Sequence, residues 1–95
     1  MIVSGSSSQS LAASVAAATD ADLAPVSFER FPDGEHMAQV PYFDADEAVI
    51  IAATDSSDTH VELLQLQDAV REAGASHVTT VIPYMGYARQ DEAFE

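Results

Sequence analysis

Apolar residues fall in short blocks whose spacing changes along the chain. Residues 1–4 read as a short opening strand. After Gly5-Ser6-Ser7-Ser8, a turn, Leu11, Val15 and Ala18 recur at helical spacing with Ala12 and Ala16 between them. Ser8 or Ser10 is placed to cap this helix by accepting a backbone N–H. Residues 24–28 suit a strand, Pro32-Asp33-Gly34 a turn, and residues 37–40 a second short strand that breaks at Pro41. Residues 48–53, AVIIAA, form a continuous apolar run of the kind buried on both faces of a sheet. Thr59-His60-Val61-Glu62 matches a capping box, in which a hydroxyl and a carboxylate each satisfy the other's backbone N–H. Leu63, Leu66, Val70 and Ala73 then make one helical face, widened by Leu64 and Ala69, with Gly74 where a helix C′ residue is wanted. Residues 78–82 predict a further buried strand, ended by Pro83, with residues 84–91 as the loop at its carboxyl end.

Strands alternating with helices around apolar central strands predict an α/β domain with a largely parallel sheet flanked by helices. Open sheets of this kind bind ligands off the carboxyl ends of their strands, where the loop of residues 84–91 is expected. Two helices are few for a sheet this apolar on both faces. The pattern therefore predicts a chain cut short, with a following helix beyond residue 95.

Charge changes the picture more than length does. Sixteen acidic residues face three basic ones, Arg30, Arg71 and Arg89, for a formal net charge of −13 on 95 residues. Such a surface repels nucleic acid and anionic membranes. The acids are scattered among apolar runs instead of gathered in a tail. With no lysine at all, this composition suits a folded protein in high salt, where self-repulsion is screened over about 3 Å at 1 M; the source is read as a halophile. No cysteine is present, which excludes disulfides and thiol chemistry. The opening MIVSGSSSQS lacks the basic and apolar regions of a signal peptide. No apolar run approaches the roughly 20 residues of a membrane span, and a cytoplasmic protein is expected.

Two clusters carry candidate chemistry. In Pro83-Tyr84-Met85-Gly86-Tyr87-Ala88-Arg89-Gln90-Asp91, one of three cations sits at a strand end beside a glycine and two tyrosines. The planar fork of Arg89 suits a phosphate or a flat ring, and Gln90 offers both a donor and an acceptor; from spacing alone, a pairing of Arg89 with one of the many acids is the stronger reading. In Phe31-Pro32-Asp33-Gly34-Glu35, an aromatic stands at a turn. Asp33 and Glu35, two apart in extended backbone, point the same way. They suit either an exocyclic amine or a solvated Asp-Gly turn. His36, His60 and His77 lack recognisable metal-ligand spacing. Residues 5–8 can cap a helix or offer N–H groups to an anion. Neither a P-loop nor a dinucleotide fingerprint is present.

The segments IVSGSSSQSLA, FPDGE and DTHVELLQLQDAVREAGASHVTTVIPYMGYARQD occur in that order. Together they cover nearly the whole chain, and it resembles the N-terminal domain of ribose-phosphate pyrophosphokinases. The resemblance implies a phosphoribosyltransferase-like α/β domain over residues 1–95, with a projecting hairpin. It implies transfer of the diphosphoryl group of ATP to ribose 5-phosphate, giving PRPP and AMP, in a homodimer or higher homo-oligomer. It implies an ATP site containing Arg89 and Gln90, completed by Phe31 over the adenine with Asp33 and Glu35 near its amino edge, the hairpin reaching into a neighbouring subunit. Mg2+ is the implied cofactor, its ligands expected outside this chain together with the catalytic loop and the PRPP-binding signature. One departure is Glu92-Ala93-Phe94-Glu95 after the RQD motif, where many members carry basic residues. The alternatives are a non-catalytic associated subunit and a stand-alone nucleotide-binding module.

Overall fold

The computed structural model describes residues 1–86. Seven elements follow in the order β1 (Ile2–Ser4), α1 (Gln9–Thr19), β2 (Ser27–Arg30), β3 (His36–Gln39), β4 (Glu47–Ile51), α2 (Ser57–Glu72) and β5 (His77–Val81). β1, β4 and β5 form a parallel sheet in the order β1-β4-β5, while β2 and β3 pair as an antiparallel hairpin. The α/β architecture expected from the pattern is present.

Side-chain alternation divides the sheet between two small cores. Ile2 and Ile51 pack on one face with Ala12 and Ala16 of α1. Val3, Ile50, Ala48 and Ala52 point to the other face, where Leu63, Leu66 and Val70 of α2 meet Ala38 and Val40 from the hairpin. One helix therefore covers each face of β1 and β4. On α1 the buried stripe is Ala12 and Ala16, with Val15 half-buried and Leu11 and Ala18 exposed. The alanines, not the larger residues, meet the strands.

Three further expectations change. The capping box lies one turn earlier than Thr59–Glu62: Ser56 is the N-cap, its hydroxyl accepts from the Thr59 N–H, and Thr59 Oγ1 accepts from the Ser56 N–H at 2.9 Å. Leu64 does not widen the buried face but is 65% exposed, and Ala73 is exposed as well. β5 is not fully buried; its residues alternate between half-buried and exposed, with Val81 45% exposed. Its register places His77, Thr79 and Val81 beside Glu47, Val49 and Ile51 on the α1 face, but α1 packs over β1 and β4.

The end of α2 follows the expectation. Gly74 adopts φ +112, its N–H donates to the Arg71 carbonyl, and the Ala75 N–H donates to the Val70 carbonyl. That pair of bonds is a Schellman motif. The first hairpin strand sits later in sequence than residues 24–28 suggested, and the second starts one residue before the expected 37–40. Residues 22–24 instead run beside β1, with Ile2 N–H donating to Asp22 O and Ala24 N–H to Ile2 O. The base of the hairpin is docked on α2 through Ala38 and Val40, and its tip is exposed.

Candidate functional site

The carboxyl ends of the three parallel strands are tied together by hydrogen bonds. Beyond β1, the Gly5 N–H donates to Ile51 O. Beyond β4, the Ala52 N–H donates to Val81 O and the Ala53 N–H donates to Ser8 Oγ at 2.9 Å. Ser8 occupies the N-cap position of α1 but makes no side-chain cap bond; its hydroxyl serves the neighbouring strand instead. Beyond β5, residues 84–86 fold back onto Thr54: the Thr54 N–H donates to Tyr84 O at 2.8 Å, and the Gly86 N–H donates to Thr54 O at 2.7 Å. A Cβ on Gly86 would collide with that Thr54 carbonyl, so close approach excludes a larger residue unless the loop shifts.

A shallow cavity of about 460 Å³ opens at this edge between Ser6, Ser7, Gln9, Leu11, Ala53 and Pro83. Its position is the one where doubly covered parallel sheets bind ligands. A larger groove of about 560 Å³ runs between β3 and α2. Among the described residues that groove is lined by two acids, Asp68 and Glu72, which disfavours a phosphorylated ligand, whereas no acid lines the cavity at the carboxyl edge, so that edge is the better candidate despite its smaller volume. The option of an anion held by residues 5–8 is weakened by geometry: the Ser6 N–H already donates to Glu62 Oε1 at 2.6 Å, placing a carboxylate where an anion would need an unopposed donor.

The hairpin tip forms the second part. Phe31 N–H donates to Glu35 O and Gly34 N–H to Phe31 O, and Gly34 takes φ +91, a conformation that side chains other than glycine resist. The Glu35 N–H donates to Asp33 Oδ1 at 3.0 Å. Asp33 therefore shapes the turn itself, as the Asp-Gly reading anticipated. Phe31 is 40% exposed. Arg30, the last residue of β2, reaches Asp58 Oδ2 at 3.4 Å in the first turn of α2. Because α2 starts from the carboxyl side of β4, this contact sets the tip end of the hairpin on the same side as the candidate edge.

Phe31, Asp33 and Glu35 are thus gathered at one tip. Arg89 and Gln90 lie outside the described residues, as does Asp91. Among the described residues, no three His, Asp or Glu side chains converge where a metal ion would sit. No helix among them is long and apolar enough to cross a membrane. The sequence offers Ser8 as a cap or as part of an anion-binding turn, Glu62 as a capping-box member, and Thr54 in no role at all. Local pattern carries no signal for their contacts, which span 30 to 56 residues.

Comparison with known families decides the relationship. A family model described as the N-terminal domain of ribose phosphate pyrophosphokinase matches residues 1–95. The chain belongs to this family. It is 60% identical over 96 residues to a ribose-phosphate pyrophosphokinase of Halobacterium salinarum, with all of this chain and 34% of the relative covered. A ribose-phosphate pyrophosphokinase of Methanobrevibacter smithii is 43% identical, covering 99% of this chain and 32% of the relative. One from Saccharolobus solfataricus is 33% identical, covering 100% and 34%. The chain therefore spans about a third of the length of these relatives. The segments on which the resemblance rested all fall within the matched range.

Proposed function

We propose that this chain forms the N-terminal, ATP-binding part of a ribose-phosphate diphosphokinase, which moves the diphosphoryl group of ATP to the C1 hydroxyl of ribose 5-phosphate and releases AMP. The observation that carries the reading is the family match along residues 1–95. The carboxyl edge and the exposed hairpin tip supply two surfaces suited to it. Phe31 lies against the adenine ring. The Oδ1 of Asp33 is engaged by the turn, so contact with the adenine amino group falls to Asp33 Oδ2 and Glu35. Arg89 and Gln90, at most about 14 Å of chain beyond Gly86, meet the base or the phosphates. Phosphoryl transfer depends on positioning and on neutralising charge, and one arginine is too little for that. Mg2+, its ligands and the ribose 5-phosphate site belong to other parts of the protein. The assembly is a homodimer or larger homo-oligomer, with the hairpin of one copy completing the pocket of another, in the salt-rich cytoplasm of a halophile.

Kinetics of the full-length product of the gene test this reading. Phe31→Ala is expected to raise KM for ATP while leaving KM for ribose 5-phosphate within twofold, because the ring touches only the base. Arg89→Ala removes a charge-assisted contact worth about 1.5 to 3 kcal/mol, a loss of roughly tenfold or more in kcat/KM for ATP. Equal loss for both substrates in both variants would contradict the assignment. Mixing the two variants under conditions of subunit exchange is expected to restore part of the activity, since some interfaces then contain one intact pocket. No recovery despite exchange would place the hairpin in its own subunit's site.

A further inference from the structure

Among the described residues, four polar or charged side chains are buried: Ser4, Ser8, Thr54 and Glu62. None is in the middle of the sheet. Ser4 ends β1, Ser8 closes the loop after it, Thr54 follows β4, and Glu62 is in the second turn of α2 above them. Burying such groups is unfavourable unless each finds a partner. Their concentration at one edge, in a core otherwise built from alanine, valine, leucine, isoleucine and one phenylalanine, calls for a physical reason.

The contacts form a continuous path. Glu62, 9% exposed, accepts from the Ser6 N–H at 2.6 Å. Gly5 makes this approach feasible, because a Cβ there would lie 2.8 Å from Ala52 Cβ and 3.2 Å from Glu62 Oε1. The Ser8 N–H donates to Gly5 O and closes the turn. Ser8 Oγ accepts from the Ala53 N–H. The next residue, Thr54, is 0% exposed and holds residues 84–86 through two backbone bonds, with its hydroxyl also directed at Tyr84 O at 3.4 Å. The path runs from α2, through the loops after β1 and β4, to the loop after β5. A carboxylate bound to a backbone N–H is a strong, directional link, and a linked network resists partial opening.

From this geometry we infer that Glu62, Ser8 and Thr54 act as one brace that positions the loop after β5, and through it the nucleotide-contacting residues that follow. They are positioning residues: none is assigned contact with substrate. The link to nucleotide rests on the function proposed above; the brace itself does not.

Amide hydrogen exchange on the full-length product of the gene in molar KCl tests the brace directly. In Glu62→Leu, exchange at Ser6, Ala53 and Gly86 is expected to accelerate together by roughly tenfold or more, with the Val70 amide unchanged. Glu62→Gln, whose amide oxygen can accept the same N–H, is expected to restore most of the protection. Ser8→Ala, a smaller change for use if Glu62→Leu does not fold, is expected to accelerate Ala53 and Gly86. Acceleration at Ser6 alone, or an equal rise at every amide, would show that the brace does not exist as a unit. Kinetics then separate the two layers of the inference. If the exchange pattern is present and neither Glu62→Leu nor Arg89→Ala alters KM for ATP, the brace stands and the nucleotide reading falls. If Arg89→Ala raises that KM and Glu62→Leu does not, the positioning role is wrong.

Discussion

Gly5 shows how much a single residue can decide at this edge. It is one of four glycines, and its lack of a side chain lets the end of β1 lie against Ala52 while Glu62 reaches the adjacent N–H. A valine there would force strand ends apart that are hydrogen-bonded from Gly5 N to Ile51 O. Overpacking of this kind costs about 1 to 3 kcal/mol. Gly5→Val is therefore expected to lower the unfolding free energy by an amount in that range, read as a lower denaturation midpoint without a change in the denaturant slope. A neutral result would mean that the strand ends have slack which the distances do not suggest. The requirement was hidden in the sequence, where Gly5-Ser6-Ser7-Ser8 reads as an ordinary turn before a helix.

At the level of elements, what was legible depended on whether the signal was local. The β4 run, the α2 heptad-like face through Leu63, Leu66 and Val70, and the Gly74 stop all depend on neighbours within a turn or a strand, and each took its expected role. The start of α2 was misplaced because two overlapping four-residue stretches, Ser56 to Thr59 and Thr59 to Glu62, each open on a hydroxyl able to cap, and only the second ends on the glutamate of the usual pattern. Only the fold shows that Glu62 spends its carboxylate on Ser6, 56 residues away. The burial of β5 was overestimated for a related reason: an apolar strand states its preference, but the neighbours that would cover it are a property of the tertiary arrangement. Substitutions separate the two caps. Ser56→Ala is expected to destabilise the fold by about 1 kcal/mol, read from thermal or chemical denaturation. A Thr59→Val change should cost a similar amount, since its hydroxyl is the other half of the box. Gly74→Ala, at φ +112, is expected to cost about 1 kcal/mol or more. If Ser56→Ala is silent, the helix starts elsewhere.

The charge of the molecule finds little relief among the ion pairs of the described residues. Of the described cations, Arg30 makes one exposed contact of 3.4 Å to Asp58, worth at most about 1 kcal/mol and screened by salt. Arg71 stands in the last turn of α2, where a cation suits the helix dipole. Neither offsets a net charge of −13. Self-repulsion is therefore expected to oppose folding in dilute buffer and to fade as the screening length falls to about 3 Å at 1 M salt. Circular dichroism from low salt to molar KCl should show the folded fraction rising; a fully folded signal in dilute buffer would remove the halophile reading. The candidate site was legible only in halves. Phe31, Asp33 and Glu35 share the exposed hairpin tip, Arg89 and Gln90 lie beyond the described residues, and the bonds that hold residues 84–86 come from Thr54, a position with no motif of its own.

Diphosphoryl transfer is distinguished from ordinary phosphoryl transfer by what is left of the ATP. The full-length product of the gene, given ATP, ribose 5-phosphate and Mg2+ in molar KCl, is expected to release AMP in step with PRPP, both followed by ion-exchange chromatography with ATP labelled at the β-phosphate. The label should appear in PRPP and not in the nucleotide product. Release of ADP, with the label retained on the nucleotide, or the absence of any product dependent on ribose 5-phosphate, would contradict the account.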